Sequence, residues 1–161
     1  MQSRNSSLAQ PILAIALIAT LTIAAAWAFQ ILGGYAPCPL CLQQRWPYYV
    51  VIPLALLLLW QKNASVRFSR GGLLVIALVM LAGAGLAAYH VGIEWHWWKG
   101  PQSCAATGGL SGGVPDLSNA RIVRCDEAPW RFLGLSFAGW NLAISMMIAA
   151  LAFHALRRRS A

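Results

Sequence analysis

Pro37-Cys38-Pro39-Leu40-Cys41-Leu42-Gln43-Gln44-Arg45 is a Cys-x-x-Cys pair that runs straight into an apolar segment with one cation at its mouth. Pro37 and Pro39 each fix φ and lack an N–H, so helix through Cys38 is disfavoured and regular helix is expected from about Cys41. Cys41 then lies in a first helical turn. Unpaired N–H groups and the positive end of the helix dipole favour a thiolate there, and Arg45, four residues on, shares its face. Taken alone, such a pair is equally a structural disulfide, half of a zinc site or a redox centre.

What surrounds the pair decides its setting. The chain has 161 residues, of which 59% are hydrophobic and 10% charged, against roughly 25% charged in soluble domains. Pro11 to Leu32 gives 22 residues without a charge, enough for a membrane helix. A cleaved signal peptide, for which Ala24-Ala25-Ala26 would supply the small residues, fits less well, because the run exceeds the ~7 to 15 residues of a signal core. The second run is shorter: only the 15 residues from Trp46 to Trp60 are free of charge. At ~1.5 Å per residue they cover about 22 Å of a ~30 Å hydrocarbon core. Gln43, Gln44, Arg45 and with them Cys41 are therefore drawn to the membrane boundary, where a lipid-soluble molecule can reach the sulfur. Gly71 to about Ile93 forms a third run, with Gly83, Ala84 and Gly85 as small residues for close helix approach, and Phe132 to Phe153 a fourth.

The fold class expected is an all-α integral membrane domain spanning residues 1–161: a bundle of four transmembrane helices with two outer loops, the second long. The spans are placed at about 11–32, 42–60, 71–93 and 132–156. Outer loops then fall at about 33–41 and 94–131, and a loop on the other side at 61–70. Both termini and that 61–70 loop carry Arg4, Lys62, Arg67, Arg70, Arg157, Arg158 and Arg159, seven cations with no acid. The opposite side has five cations, Arg45, Lys99, Arg121, Arg124 and Arg131, against four acids, Glu94, Asp116, Asp126 and Glu127. This asymmetry puts the termini in the cytoplasm. It also accounts for the net charge of +8 without a nucleic-acid partner, since the basic residues flank apolar runs.

Cys38, Cys41, Cys104 and Cys125 all fall on the outer side, where disulfides persist. Zinc is disfavoured, because the second pair lacks zinc-type spacing, and no metal is expected. Glu94 to Arg131 opens with an interfacial Trp95-His96-Trp97-Trp98 cluster and continues through Gly108, Gly109, Gly112 and Gly113. A Cys104–Cys125 disulfide there would enclose 20 residues and be worth ~3 kcal/mol in loop closure. Such a staple alone requires no chemistry. His96, His154 and Asn141 are sufficiently explained by interface, helix-end and interhelical roles. No haem, dinucleotide or intramembrane metal motif is present, so an exogenous membrane-soluble acceptor is the simplest redox partner.

Together these residues resemble the DsbB family, bacterial inner-membrane proteins that reoxidise the periplasmic oxidant DsbA and pass electrons to quinone. The resemblance rests on Cys38-Pro39-Leu40-Cys41 with Arg45, on Cys104 and Cys125 in the second loop, and on Cys125-Asp126-Glu127-Ala128-Pro129-Trp130-Arg131-Phe132-Leu133-Gly134-Leu135 leading into the last helix. It implies a quinone-dependent thiol:disulfide oxidoreductase with a DsbA-like thioredoxin-fold partner, ubiquinone or menaquinone as acceptor, and the cysteines in the periplasm. It implies that Cys104 is attacked by the partner, that the freed Cys125 attacks Cys38, and that Cys41 is released toward the quinone. Arg45 would stabilise the Cys41 thiolate and the reduced quinone, and His90 corresponds to a family histidine beside the quinone. The glycine-rich stretch 105–124 departs from the pattern, and Arg121 and Arg124 could instead act on Cys125 by proximity. A vitamin K epoxide reductase-like enzyme shares the helix count and cysteine pairs, but its quinone-side Cys-x-x-Cys comes late in the chain. A disulfide-stapled scaffold would need neither Arg45 nor a second flexible pair.

The charge asymmetry has a direct consequence. After reduction of right-side-out cells, a membrane-impermeant thiol reagent is expected to label these cysteines while a tag after Ala161 stays protected; the reverse pattern would invert the topology.

Overall fold

In the computed structural model, residues 2–61, 65–101, 104 and 124–157 are described. Lys62, Arg121, Arg158 and Arg159 of the charge count, and the glycine-rich part of the second outer segment, lie outside them. The order is α1 (Gln2–Ile31), α2 (Pro39–Gln43), α3 (Trp46–Trp60), α4 (Val66–Glu94), β1 (Arg131–Phe132), β2 (Leu135–Ser136) and α5 (Phe137–Arg157). Three of these, α1 from Leu8, α4 and α5, are long and apolar enough to cross a membrane, and α3 is a fourth, shorter apolar helix of 15 residues.

Cross-helix contacts fix an up-and-down arrangement. Trp27 Nε1 donates to Tyr49 Oη and Arg45 Nη1 to Gln30 Oε1, so α1 and α3 run antiparallel. Pro47 sits over Gly83 and Leu58 over Gly72, which makes α3 antiparallel to α4. Arg70 Nη2 donates to the Leu156 carbonyl at 2.7 Å, linking the start of α4 to the end of α5. The inward stripes repeat at helical spacing: Ile12, Ile15 and Ala19 on α1; Tyr48, Val51, Ala55 and Leu58 on α3; Leu73, Ile76, Ala77 and Met80 on α4; Ile148, Ala149, Ala152 and Ala155 on α5. The outward faces carry exposed Leu13, Leu17, Leu21, Leu74, Leu78 and Met146, as expected of surfaces that meet lipid.

Local boundaries depart from the sequence reading in five places, the first being that the span expected at about 42–60 is broken at Gln44 and Arg45 into α2 and α3. Helix begins at Pro39 rather than Cys41, because a proline at the first helical position sacrifices only an N–H that has no intrahelical partner. Cys38 caps it, its sulfur accepting the Cys41 N–H at 3.1 Å. α1 starts well before Pro11, which it contains. α4 starts at Val66, where the Ser65 hydroxyl accepts the Phe68 N–H. Finally, the chain enters α5 through a two-stranded hairpin, not directly as helix. Arg131 pairs with Ser136 and Phe132 with Leu135 around Leu133 and Gly134, both at positive φ as in a type I′ hairpin turn. The Ser136 hydroxyl accepts the Gly139 N–H and so begins α5.

Close packing of α3 on α4 depends on Gly83, where an added Cβ would lie 2.8 Å from Pro47 Cγ. Gly85 meets open space. Gly83→Val should therefore lower the thermal midpoint in detergent, with a cost of about 1–3 kcal/mol, whereas Gly85→Val should stay within about 0.5 kcal/mol. Equal shifts would mean that α3 and α4 do not approach there.

Candidate redox site

The end of the bundle where α1 and α4 finish and α2, α3 and α5 begin gathers all four cysteines. Cys38 and Cys41 form one disulfide, with Cα atoms 5.0 Å apart, and Cys104 and Cys125 form the other, at 5.2 Å. The two disulfides are neighbours. Cys38 Sγ, Cys125 Sγ and a ring nitrogen of His90 lie within 4.8 Å of one another, all three residues buried. Leu40 and Ile93 pack around this junction. Two sulfurs and an imidazole are a soft-metal donor set in principle, but metals bind thiolates, and both sulfurs here are committed to disulfides.

Cys41 faces the other way. It is half-buried and lines a cavity of about 410 Å³ between α1, α3, α5 and the hairpin. Phe29, Tyr35, Trp130 and Phe137 form an aromatic wall of this cavity: Trp130 stacks on Phe137 at 5.0 Å between ring centroids, and Phe29 meets both. Arg45, Gln30, Gln44, Tyr48 and Asn141 supply its polar atoms. The Arg45 guanidinium is fixed twice from α1, by the 2.8 Å bond to Gln30 Oε1 and by lying 5.2 Å over the Trp27 ring. An aromatic wall beside a guanidinium suits a flat, apolar ring that carries carbonyl oxygens.

His90 does not line this cavity. It stands on the sulfur side, 3.8 Å from Cys38 Sγ and 3.2 Å from the Cys125 carbonyl, and is joined to the cavity by a chain of hydrogen bonds. Gln44 Nε2 meets His90 Nδ1 at 2.7 Å, Asn141 Nδ2 donates to Gln44 Oε1 at 2.7 Å, and Tyr48 Oη donates to Asn141 Oδ1 at 2.6 Å with Ser145 Oγ 3.1 Å away. The six predicted site residues thus come together, four of them at the sulfur junction (Cys38, Cys104, Cys125 and His90) and two, Cys41 and Arg45, on the cavity.

Arg124, considered above as an influence on Cys125, is otherwise engaged. Its Nε and Nη2 donate to the Asp126 carboxylate at 3.0 and 2.7 Å, and Nη1 lies 3.5 Å from Glu127. The guanidinium holds the Asp126 carboxyl below the usual carboxylate range, and the two acids in turn offset its charge. Arg121 lies outside the described residues.

Sequence reading missed Gln30 and Trp27 as partners of Arg45, and Tyr48 and Gln44 as links of the polar chain. Asn141 stood out only as the polar residue of the last apolar run, and its interhelical hydrogen bonds are as expected.

Comparison with known proteins identifies the family. Residues 9–155 match the family model described as disulfide bond formation protein DsbB. Proteins described as disulfide bond formation protein B are similar over most of the chain. The one from Herminiimonas arsenicoxydans is 28% identical, with 94% of this chain and 98% of the relative covered. The one from Methylococcus capsulatus is 32% identical, with 80% and 81% covered. No solved structure matches the chain.

The polar chain lies within a mostly apolar interior, so removing the Tyr48 hydroxyl takes the donor from a partly buried acceptor, Asn141 Oδ1. Tyr48 is 1% exposed. Tyr48→Phe should cost about 1–3 kcal/mol of stability by unfolding in detergent, whereas Tyr49→Phe, which loses only the exposed bond to Trp27, should cost much less. Equal effects would show that the chain does not hold α3 to α5.

Proposed function

The chain belongs to the DsbB family, and from that premise we propose that it is a quinone-dependent thiol:disulfide oxidoreductase of the bacterial inner membrane that reoxidises a periplasmic DsbA-like dithiol protein. The observation that carries this reading is the placement of the Cys38–Cys41 disulfide, with one sulfur against Cys125 and the other on an aromatic cavity beside Arg45. In this reading α3 is the fourth span, lengthened at its mouth by α2, with the termini cytoplasmic and the sulfur end periplasmic.

The sequence of exchanges is the one that membership of the family implies, and the adjacency of Cys38 and Cys125 supports it. A thiolate of the partner attacks Cys104, the less buried of its pair, and the bonding electrons leave with Cys125. Cys125 then attacks Cys38, close to hand, and the electrons leave with Cys41. The partner's second thiol recloses on its first and releases Cys104. Cys41 now holds its negative charge in the first turn of α2, with Arg45 on the same cavity. Ubiquinone or menaquinone held there would accept the two electrons and two protons as Cys41 recloses on Cys38 and the freed Cys125 recloses on Cys104, which restores both disulfides. The chain's part is to hold the ring against Trp130 and Phe137, to offer the guanidinium to an oxygen, and to keep bulk water from the sulfur. Arg45 is presented by Gln30 and Trp27, so the donor is oriented before the ligand arrives.

The direct test is purified protein in detergent with a reduced thioredoxin-fold dithiol protein and a soluble quinone analogue, followed by quinone absorbance. Thiol-dependent quinone reduction is expected, and its absence would leave a disulfide-stapled scaffold. Arg45→Met should lower quinone use about ten- to hundredfold, the loss of a charge-assisted hydrogen bond. Gln30→Leu should raise the quinone KM several-fold and leave attack on Cys104 unchanged. If Arg45→Met has unaltered quinone kinetics, the guanidinium only reaches for headgroups.

A further inference from the structure

The hydrogen-bond partners around His90 point to the nitrogen that carries the proton of a neutral ring. A backbone carbonyl can only accept, so Nε2, 3.2 Å from the Cys125 oxygen, must bear hydrogen. Nδ1 of the neutral ring is then an acceptor, which requires the Gln44 amide to turn its NH₂ toward it at 2.7 Å. Gln44 Oε1 accepts in turn from Asn141, and Asn141 Oδ1 from the Tyr48 hydroxyl. Every link has the same polarity, and reversing one would oppose two donors or two acceptors elsewhere. The Nε2–H that results lies at the junction of the disulfides, 3.8 Å from Cys38 Sγ.

Resting on the function proposed above, we infer that this Nε2–H, its tautomer held by Gln44, is the hydrogen-bond donor that receives the Cys125 thiolate and steadies it for attack on Cys38. When the partner's thiolate bonds to Cys104, the Cys104–Cys125 bond breaks and its electron pair stays on Cys125. That sulfur is buried, and an anion placed there needs a donor. Nε2–H turns from the Cys125 carbonyl to the sulfur. Cys125 then bonds to Cys38, the Cys38–Cys41 bond breaks, and the pair leaves on Cys41. No proton moves at His90, so the imidazole returns to its carbonyl unchanged. His90 thus acts on the sulfurs, and it bears on the cavity only through Gln44. Gln44 is a positioning residue. Among the described residues, the polar groups that meet the ring are Cys38 from the start of α2, Cys125 from the outer segment and Gln44 from the end of α2; α5 contributes the uncharged Asn141 and Ser145 to the chain, and Glu94 lies one turn along α4.

Two measurements test this. Protein with ¹⁵N-labelled histidine in detergent, with His90 assigned by its loss in His90→Gln, should show a protonated Nε2 and a bare Nδ1. Gln44→Glu places an acceptor-only carboxylate against Nδ1, which should then become protonated. A protonated Nδ1 in the unaltered protein, or unmoved nitrogen signals in Gln44→Glu, would overturn the positioning role. For the exchange, reduced thioredoxin-fold dithiol protein is added without quinone and the Cys38–Cys125 linkage is followed by acid quench and non-reducing peptide mapping. His90→Phe should slow its appearance about tenfold or more. His90→Gln, which keeps an N–H donor, should recover most of the rate. Linkage at the normal rate in His90→Phe overturns the inference alone, whereas no linkage in the unaltered protein overturns the transfer function beneath it.

Discussion

A buried polar group must find a partner inside the bundle, because neither lipid nor core can offer one, and this constraint organises the site. Ser145, Tyr48, Asn141, Gln44 and His90 satisfy one another in a single chain that ties together α5, α3, α2 and α4. The chain has sulfur on one side and a cavity on the other. Because its members have fixed neighbours, the Cys38–Cys41 disulfide is held edge-on between two environments: a dry junction with the second disulfide and an aromatic slot open to an apolar ligand. In the function proposed above, a disulfide held this way would take electrons from one side and release them on the other with only short movements of its sulfurs.

The supporting elements are cheap devices placed where the geometry demands them. A proline start with a sulfur cap fixes where α2 begins, between Cys38 outside the helix and Cys41 in its first turn. The hairpin before α5 brings Trp130 and Phe132 over the cavity, and the Trp140 Nε1–H, donated to the Phe132 carbonyl, keeps it there. Gly83 lets Pro47 settle against α4, so the mouth of α3 remains close to His90 and the cysteines.

Much of this was legible in the sequence. Apolar runs gave the helices their approximate places because length and absence of charge are local properties. Cys38, Cys41 and Arg45 stood out because each lies about one helical turn from the next, and Cys104 and Cys125 because a stapled outer segment needs two. What stayed hidden depends on helix rotation and on contacts between distant segments. Gln30 and Arg45 are 15 residues apart on different helices, and Gln44 and Asn141 are 97 apart, so no local pattern marks them as partners. The hairpin turn uses Leu133 at φ 51°, a conformation a leucine rarely adopts, and its sequence therefore carries only the glycine of the usual turn signal. That His90 stands on the sulfur side and away from the cavity depends on how α4 is rotated, and its outer-end position in the sequence fixes depth but not direction.

The claim on which the rest depends is that the aromatic cavity beside Cys41 is where quinone binds. Photolabelling of membranes with an azido-quinone, followed by peptide mapping, measures this directly. Saturable label on Tyr35, Trp130 or Phe137, competed by unmodified quinone and accompanied by protection of reduced Cys41 from alkylation, is the predicted result. Label confined to the lipid-facing side of α4, with Cys41 unprotected, would contradict it.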